Sequence, residues 1–246
     1  MNSNNTLKIG IQSKGKLALA SQEYLYSLGL RFRPAGKNDL VLPCLNCGVE
    51  IMLLRDDDIP RLVDIGAIDL GIVGENVVYE KNFGVEIIKN LKFGACSLVI
   101  AVPQNSKIKN IKDLNGEKIA TTYPKLLNDF LEENKIAAEI IEIKGSAEII
   151  PRLKVANAIC DLTQTGKTLK ANNLVQIATV LESQAVLIQG QNVPLSTIKK
   201  INLIFNNNLV SIGELLMKNN WELVKYLGSC AVLGATVLTG KKECWK

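Results

Sequence analysis

The sequence predicts an α/β protein built as two parallel-sheet lobes with a cleft between them, and three observations carry that expectation. Short apolar runs of the buried, parallel-strand type alternate along the chain with longer segments of helical period. No unit repeats itself over long distances, so a solenoid or array is not indicated. The chain has 246 residues, 47% of them hydrophobic, enough for one large domain or two small ones with a sizeable core.

The first strand covers 7–11, and Lys14-Gly15-Lys16 then opens a helix that carries Leu17, Leu19, Tyr24 and Leu25. A glycine between two lysines at a strand-to-helix turn suits an anion, with a solvated helix start as the plainer alternative. Residues 40–42 and 49–54 read as two strands joined through Pro43-Cys44-Leu45-Asn46-Cys47-Gly48. Arg55 ends the second strand and is assigned to ligand phosphate. Asp56, Asp57 and Asp58 crowd the next helix start, where capping and the helix dipole favour acids. Ile59, Leu62, Val63 and Ile65 give that helix an apolar stripe, which Gly66 ends.

Residues 68–74 form a short buried strand, Glu75-Asn76 starts another helix, and strands follow at 86–88 and 97–102. The last runs through Ala101-Val102-Pro103 into the crossing to a second lobe. There a strand at 117–121, a helix at 124–134 and a strand at 138–143 precede a helix begun by Gly145-Ser146-Ala147-Glu148. A buried strand at 156–160 and a helix at 167–172 complete that lobe. Strands at 175–181 and 185–189 return the chain, and a helix at 194–205 has Pro194 in its first turn. The expected first lobe is therefore 1–100 with 181–208, and the second is 101–180. Residues 209–246 read as a short extension of one amphipathic helix, 212–227, and one apolar strand, 231–238.

Composition narrows the chemistry. No apolar run reaches the ~20 residues of a membrane span, and the first six residues lack a signal peptide's basic and apolar regions, so a cytoplasmic location is expected. The net charge of +5, from 29 basic and 24 acidic residues, suits an anionic ligand. Dispersed charge and 5% aromatics give no sign of nucleic acid. Six scattered cysteines read better as reduced core thiols than as a disulfide frame. Cys44 and Cys47 have metal-like spacing, yet no second pair and no histidine accompanies them. Without histidine, proton transfer falls to carboxylates, Lys, Tyr, Cys or water.

The stretch Asp161-Leu162-Thr163-Gln164-Thr165-Gly166-Lys167-Thr168-Leu169 sits where a buried strand gives way to a helix. Three hydroxyls, a glycine that lets the backbone come close and free N–H groups at a helix start make a cup that fits a phosphate monoester. Asp161 beside it can accept from ribose hydroxyls. An ordinary polar turn with a helix cap is the plainer alternative. Glu148, in a helix's first turn near Asp161, is placed to orient ribose or magnesium.

The pattern Asp-hydrophobic-x-x-Thr-Gly-x-Thr-Leu resembles the phosphoribosyl-pyrophosphate loop of the ATP phosphoribosyltransferase family. Further blocks agree in the same order: Gln12-Ser13-Lys14-Gly15-Lys16-Leu17, Leu54-Arg55-Asp56-Asp57-Asp58-Ile59-Pro60 and Asp69-Leu70-Gly71-Ile72-Val73-Gly74-Glu75-Asn76. Ile119-Ala120-Thr121-Thr122-Tyr123-Pro124 and Gly145-Ser146-Ala147-Glu148 complete the set. The resemblance implies lobes like those of periplasmic binding proteins and transfer of a phosphoribosyl group to N1 of ATP, releasing pyrophosphate. By the same resemblance, Asp161, Thr163, Gln164, Thr165, Gly166, Lys167, Thr168 and Leu169, with Glu148, hold phosphoribosyl pyrophosphate, while Lys14, Gly15, Lys16 and Arg55 meet ATP or pyrophosphate. Asp69 contacts the ATP part, with a strand-edge acid as the rival, and Tyr123 borders adenine, with core packing as the rival.

Magnesium is the implied cofactor, held mainly by substrate phosphates with Glu148 or Asp161 as candidate ligands. The implied partners are the two substrates and further copies of the chain, and a separate regulatory subunit stays open. Three positions depart from the family pattern: Lys16 replaces Arg, Lys154 replaces Gly, and Asn157 replaces Asp. A ferredoxin-like regulatory domain of longer members needs about 65 residues. The 38 residues after Asn208 are too few, so a shortened or missing domain, without histidine feedback through it, is expected. A catalytically weakened anion-binding or regulatory subunit of the same fold is the alternative.

Overall fold

Both faces of the central strands are apolar and buried, while the edge strands are partly exposed. In chain order the strands are β1 (Leu7–Gln12), β2 (Val41–Pro43), β3 (Val49–Leu54), β4 (Leu70–Gly74), β5 (Val85–Asn90) and β6 (Cys96–Pro103). They continue with β7 (Lys118–Thr121), β8 (Glu139–Glu142), β9 (Ala158–Thr163), β10 (Leu174–Ser183) and β11 (Ala185–Gly190). The helices are α1 (Lys16–Ser27), α2 (Ile59–Asp64), α3 (Glu75–Lys81), α4 (Pro124–Glu133), α5 (Lys167–Ala171) and α6 (Leu195–Phe205). This computed structural model describes residues 6–36, 38–191 and 193–205, so the helix and strand expected within 209–246 lie outside the described residues.

The strands form two sheets, ordered β2-β3-β1-β4-β11-β5 and β10-β6-β9-β7-β8. Each has a parallel centre, β3-β1-β4 in one and β9-β7-β8 in the other, as expected for α/β lobes of the periplasmic-binding-protein type. Antiparallel neighbours β2, β11, β5, β6 and β10 extend these centres. Residues 1–200 form one unit containing both sheets, and a second unit begins at Ile201.

Side-chain alternation explains the continuous apolar runs. On β6, Leu98 and Ile100 face a core with Leu114, Ile119, Leu127, Leu131 and Cys160. Val99 and Ala101 face the opposite layer with Ala147, Ile159, Leu169 and Leu174. In the first sheet, Ile59 and Val63 of α2 pack on Val73, Val186 and Ile188. Each fully buried aliphatic side chain contributes about 1.5–3 kcal/mol.

Several boundaries differ from the sequence reading. β6 pairs with β9 and β10, so the chain changes sheet between Asn90 and Cys96, ahead of the crossing expected near Pro103. An apolar run does not reveal which sheet it joins. β9 runs to Thr163 because Asp161, Leu162 and Thr163 pair with Val99, Leu98 and Ser97, overriding the turn preference of Asp and Thr. The helix expected from Gly145 is a 3-10 segment, Ala147–Leu153, with Pro151 inside it. Proline has no N–H for a regular α-helical ladder.

Candidate active site

Parallel strands end at one edge of each sheet, and that edge carries the ligand loops of open α/β folds. In the first sheet, Lys14 and Gly15 follow β1, Arg55 follows β3 and Asn76 follows β4. In the second, Thr122 and Tyr123 follow β7, and Gln164, Thr165 and Gly166 follow β9. The two edges meet. Asn76 Nδ2 donates to Tyr123 Oη at 3.2 Å, and Ser183 Oγ, where β10 ends, donates to Asn76 Oδ1 at 2.9 Å.

Tyr123 is fixed from behind as well. Buried Thr121 donates through Oγ1 to Cys160 O at 2.8 Å and accepts from Tyr123 N at 2.9 Å. Burial pushes the phenol's pKa above its ordinary value, and the charges of Asp161, Asp56 and Asp57 push it the same way. Tyr123 is therefore a neutral ring beside a group of carboxylates. A notch of about 140 Å³ lies here, lined by Asp56, Asp57, Glu80, Lys81, Thr122 and Tyr123. Its acids repel a bare phosphate, whereas a base with exocyclic amine donors finds acceptors there.

Asp56, Asp57 and Asp58 were expected as helix caps. They form a short 3-10 turn that has no side-chain cap hydrogen bond, and Asp57 instead lies 3.6 Å from Lys81 Nζ. Arg55 stands exposed at the strand end.

Asp161 is the most perturbed acid at this edge. Burial raises its pKa from 3.8 to about 6; a 2.8 Å hydrogen bond from Leu162 N opposes the rise, and the nearby charge of Glu148 adds to it. The turn beyond β9 is closed by Gly166 N donating to Thr163 Oγ1 at 3.0 Å. Gly166 adopts φ 68°, in the left-handed region, and nothing lies within 4 Å of where its Cβ would be. Thr165, Lys167 and Thr168 are exposed around that open space, Gln164 sits on the turn, and buried Leu169 anchors α5 beneath. By helix geometry the first N–H groups of α5 have no intrahelical acceptor. Gly15, at φ 95° and ψ −176°, takes a backbone conformation that only glycine adopts readily, and it caps α1, whose first residue is Lys16.

Two residues named from the sequence lie elsewhere. Asp69 precedes β4, at the other end of the sheet, and its Oδ2 accepts from Lys8 N at 2.8 Å. Five strand residues separate it from the β4 outlet, roughly 16 Å. Asn157 also sits at the entry end, pairing with Lys118 through N–H to O at 2.9 Å, roughly 13 Å along the strand from Asp161. By contrast Lys154 adopts φ 57°, ψ 28° as the cap of the 3-10 segment, the conformation that the family's glycine suits. Sequence reasoning missed Asn76, Glu80 and Ser183, whose roles come from contacts across 45 to 107 residues. Only the Gly-Glu-Asn turn after β4 hinted at Asn76.

Fold and site define a two-lobed α/β protein whose strand outlets carry a half-buried acid, a neutral tyrosine and a hydroxyl-rich turn. The family model "HisG: ATP phosphoribosyltransferase" matches residues 55–218. An ATP phosphoribosyltransferase of Maricaulis maris is 44% identical over 192 residues, 76% of this chain and 65% of its own length. One of Bacteroides thetaiotaomicron is 39% identical over 211 residues, 85% of this chain and 74% of its own. The structure of an "ATP phosphoribosyl transferase (HisG:HisZ) complex from Thermotoga maritima" shares the fold, with TM-score 0.70 and 23% identity over 82% of this chain and 95% of that one. The chain belongs to the ATP phosphoribosyltransferase family.

Proposed function

We propose that the protein transfers the phosphoribosyl group of phosphoribosyl pyrophosphate to N1 of ATP, the first step of histidine biosynthesis. The observation that carries this is the acid and turn at the β9 outlet: half-buried Asp161 near the charge of Glu148, then a hydroxyl-rich turn whose Gly166 leaves open space for a phosphate.

The 5′-phosphate is received by Thr163, Thr165 and Thr168 hydroxyls with the N–H groups of the turn. Ionised Asp161 accepts from ribose hydroxyls and stabilises positive charge growing at the anomeric carbon as pyrophosphate departs. Tyr123, held neutral and oriented by Asn76, borders the adenine so that N1 lines up with that carbon. This reading assigns Lys14, Lys16 and Arg55 to ATP or leaving-group phosphates. Asp69, bonded to the backbone of β1, has a structural part in this reading.

Among the described residues no group of three or more His, Cys, Asp or Glu is arranged to hold a metal. A pair of carboxylates, Asp161 and Glu148, fits a magnesium that takes its other ligands from phosphate and water. When bound, magnesium would neutralise pyrophosphate and make it a better leaving group. We place the lobe boundary in the sheet crossings at 91–95 and 184, where Ala185 N donates to Phe93 O at 2.9 Å. Self-association and a separate regulatory subunit are the partners this reading adds, the latter supported by the two-component HisG:HisZ complex of Thermotoga maritima. A cytoplasmic location fits the reading; no described helix is long and apolar enough to cross a membrane.

The test is direct. Purified protein with ATP, phosphoribosyl pyrophosphate and magnesium should form phosphoribosyl-ATP and pyrophosphate in equal amounts. Binding of both substrates with neither product would favour a non-catalytic subunit and overturn the proposal.

A further inference from the structure

The cysteine pair of the β2–β3 connection stands apart from the proposed reaction. Cys44 is half-buried and Cys47 exposed, so neither is the buried core thiol that the sequence suggested, whereas Cys160 is. Cys47 Sγ lies 2.9 Å from Cys44 Sγ. The connection is rigidly held: Cys44 N donates to Val49 O at 2.8 Å, and Val49 N donates to Cys47 O at 2.9 Å. Between the cysteines, Leu45 N donates to Arg31 O, and Asn46 accepts from Arg31 N at 3.0 Å while donating to Gly29 O at 2.9 Å. The two sulfurs are thus held facing each other at the surface, at the β3 end remote from Arg55.

The thiols are not equivalent. Hydrogen bonds from Cys47 and from the backbone of Asn46, Arg31 and Cys47 outweigh burial and lower the Cys44 pKa, while burial and the neighbouring Cys44 push Cys47 up to about 12. That asymmetry makes Cys44 the more readily ionised, attacking sulfur and Cys47 the resolving thiol, the division of labour in Cys-x-x-Cys pairs. A structural zinc needs four ligands, and no described group of three or more His, Cys, Asp or Glu could hold a metal.

We propose that Cys44 and Cys47 are a reactive dithiol that closes reversibly to an intramolecular disulfide by exchange with small-molecule disulfides. The Cys44 thiolate attacks one sulfur of the reagent RSSR; that S–S bond breaks, a Cys44–S–S–R bond forms, and RS⁻ leaves. Cys47, its proton given to solvent, then attacks Cys44 Sγ and expels the second RS⁻. Two cysteine sulfurs are oxidised, two reagent sulfurs are reduced, and the two thiols so formed take up the protons released.

The full chain, first reduced, is equilibrated across glutathione to glutathione-disulfide ratios spanning about three decades, acid-quenched, unfolded, alkylated and digested. Toward the oxidised end, the peptide holding Cys44 and Cys47 should lose both alkyl groups and become lighter by two hydrogens. The change should reverse on reduction, with Cys96 and Cys160 alkylated throughout. In Cys47→Ser the mixed disulfide on Cys44 should outlive the wild-type one by about tenfold or more. Three outcomes would overturn the proposal: both thiols alkylatable at every ratio, a mixed disulfide in the wild type that never closes, or one zinc per chain that blocks alkylation until chelated. The wild-type measurement stands alone if the variant fails to fold.

Discussion

Glu80 caps helix α4 from the opposite lobe, its Oε2 accepting a hydrogen bond from Leu126 N at 2.9 Å. Its Oε1 accepts from Lys125 N at 3.0 Å, while α4 has no side-chain cap of its own. A single carboxylate on α3 therefore satisfies two orphan N–H groups and ties the first sheet's helix to the residue after Tyr123 and Pro124. Glu80→Ala should lower stability by roughly 2 kcal/mol in urea unfolding and raise the KM for ATP, since Tyr123 loses its support. Glu80→Gln, which keeps one acceptor, should fall between. An alanine variant as stable as the wild type would show that the cap contributes nothing.

Asp161 makes opposite demands on stability and activity. Its folded pKa of about 6 lies above the ordinary carboxylate value, so the folded state binds the proton more tightly and stability falls as pH rises from about 4 to 6. Above pH 6 the full cost is present. Asp161→Asn should accordingly stabilise the free protein at pH 8 by about 1–2 kcal/mol and abolish most turnover. The wild-type profile of kcat/KM should have an acid limb near pH 6 that the variant lacks. A destabilised asparagine variant would contradict the burial account.

Gly166 combines a left-handed backbone with open space where a side chain would sit. Gly166→Val should cost about 1–2 kcal/mol of stability and raise the KM for phosphoribosyl pyrophosphate at least about tenfold. Gly166→Asn, which tolerates this backbone, should raise KM with little loss of stability. An unchanged KM in both would remove the turn from the phosphate site.

Lys154 and Asn157, both departures from the family pattern, separate in the structure. Lys154→Gly should relieve the left-handed cap and raise stability by up to about 1 kcal/mol, read as a higher Tm. Asn157→Asp, at the entry end of β9, should leave kcat/KM within about twofold. A tenfold gain would mean that charge there reaches the site.

The strand-turn-helix stretch at 161–169, the glycine turn that opens α1 and the α/β class were legible because each is local: apolar period, glycine and hydroxyls within a few residues. The resemblance also named Asp69, but neighbouring sequence cannot show at which end of a strand an acid comes to lie. In the fold it bonds Lys8 N at the entry edge. Asp56 and Asp57 looked like caps because acids favour helix starts, and only packing against α3 and Tyr123 turned them into a cavity wall.

The order of elements, the apolar cores and the left-handed Gly166 turn before α5 were determined by the sequence alone, since backbone preference and hydrophobic period act over short stretches. Tertiary structure alone decided that Tyr123, Asn76, Ser183 and Glu80 would meet across the crevice and that Asp161 would be buried enough to hold its proton to about pH 6. The reason is desolvation and long-range hydrogen bonding: both depend on which distant residues exclude water from a group, and no window of neighbouring residues contains that information.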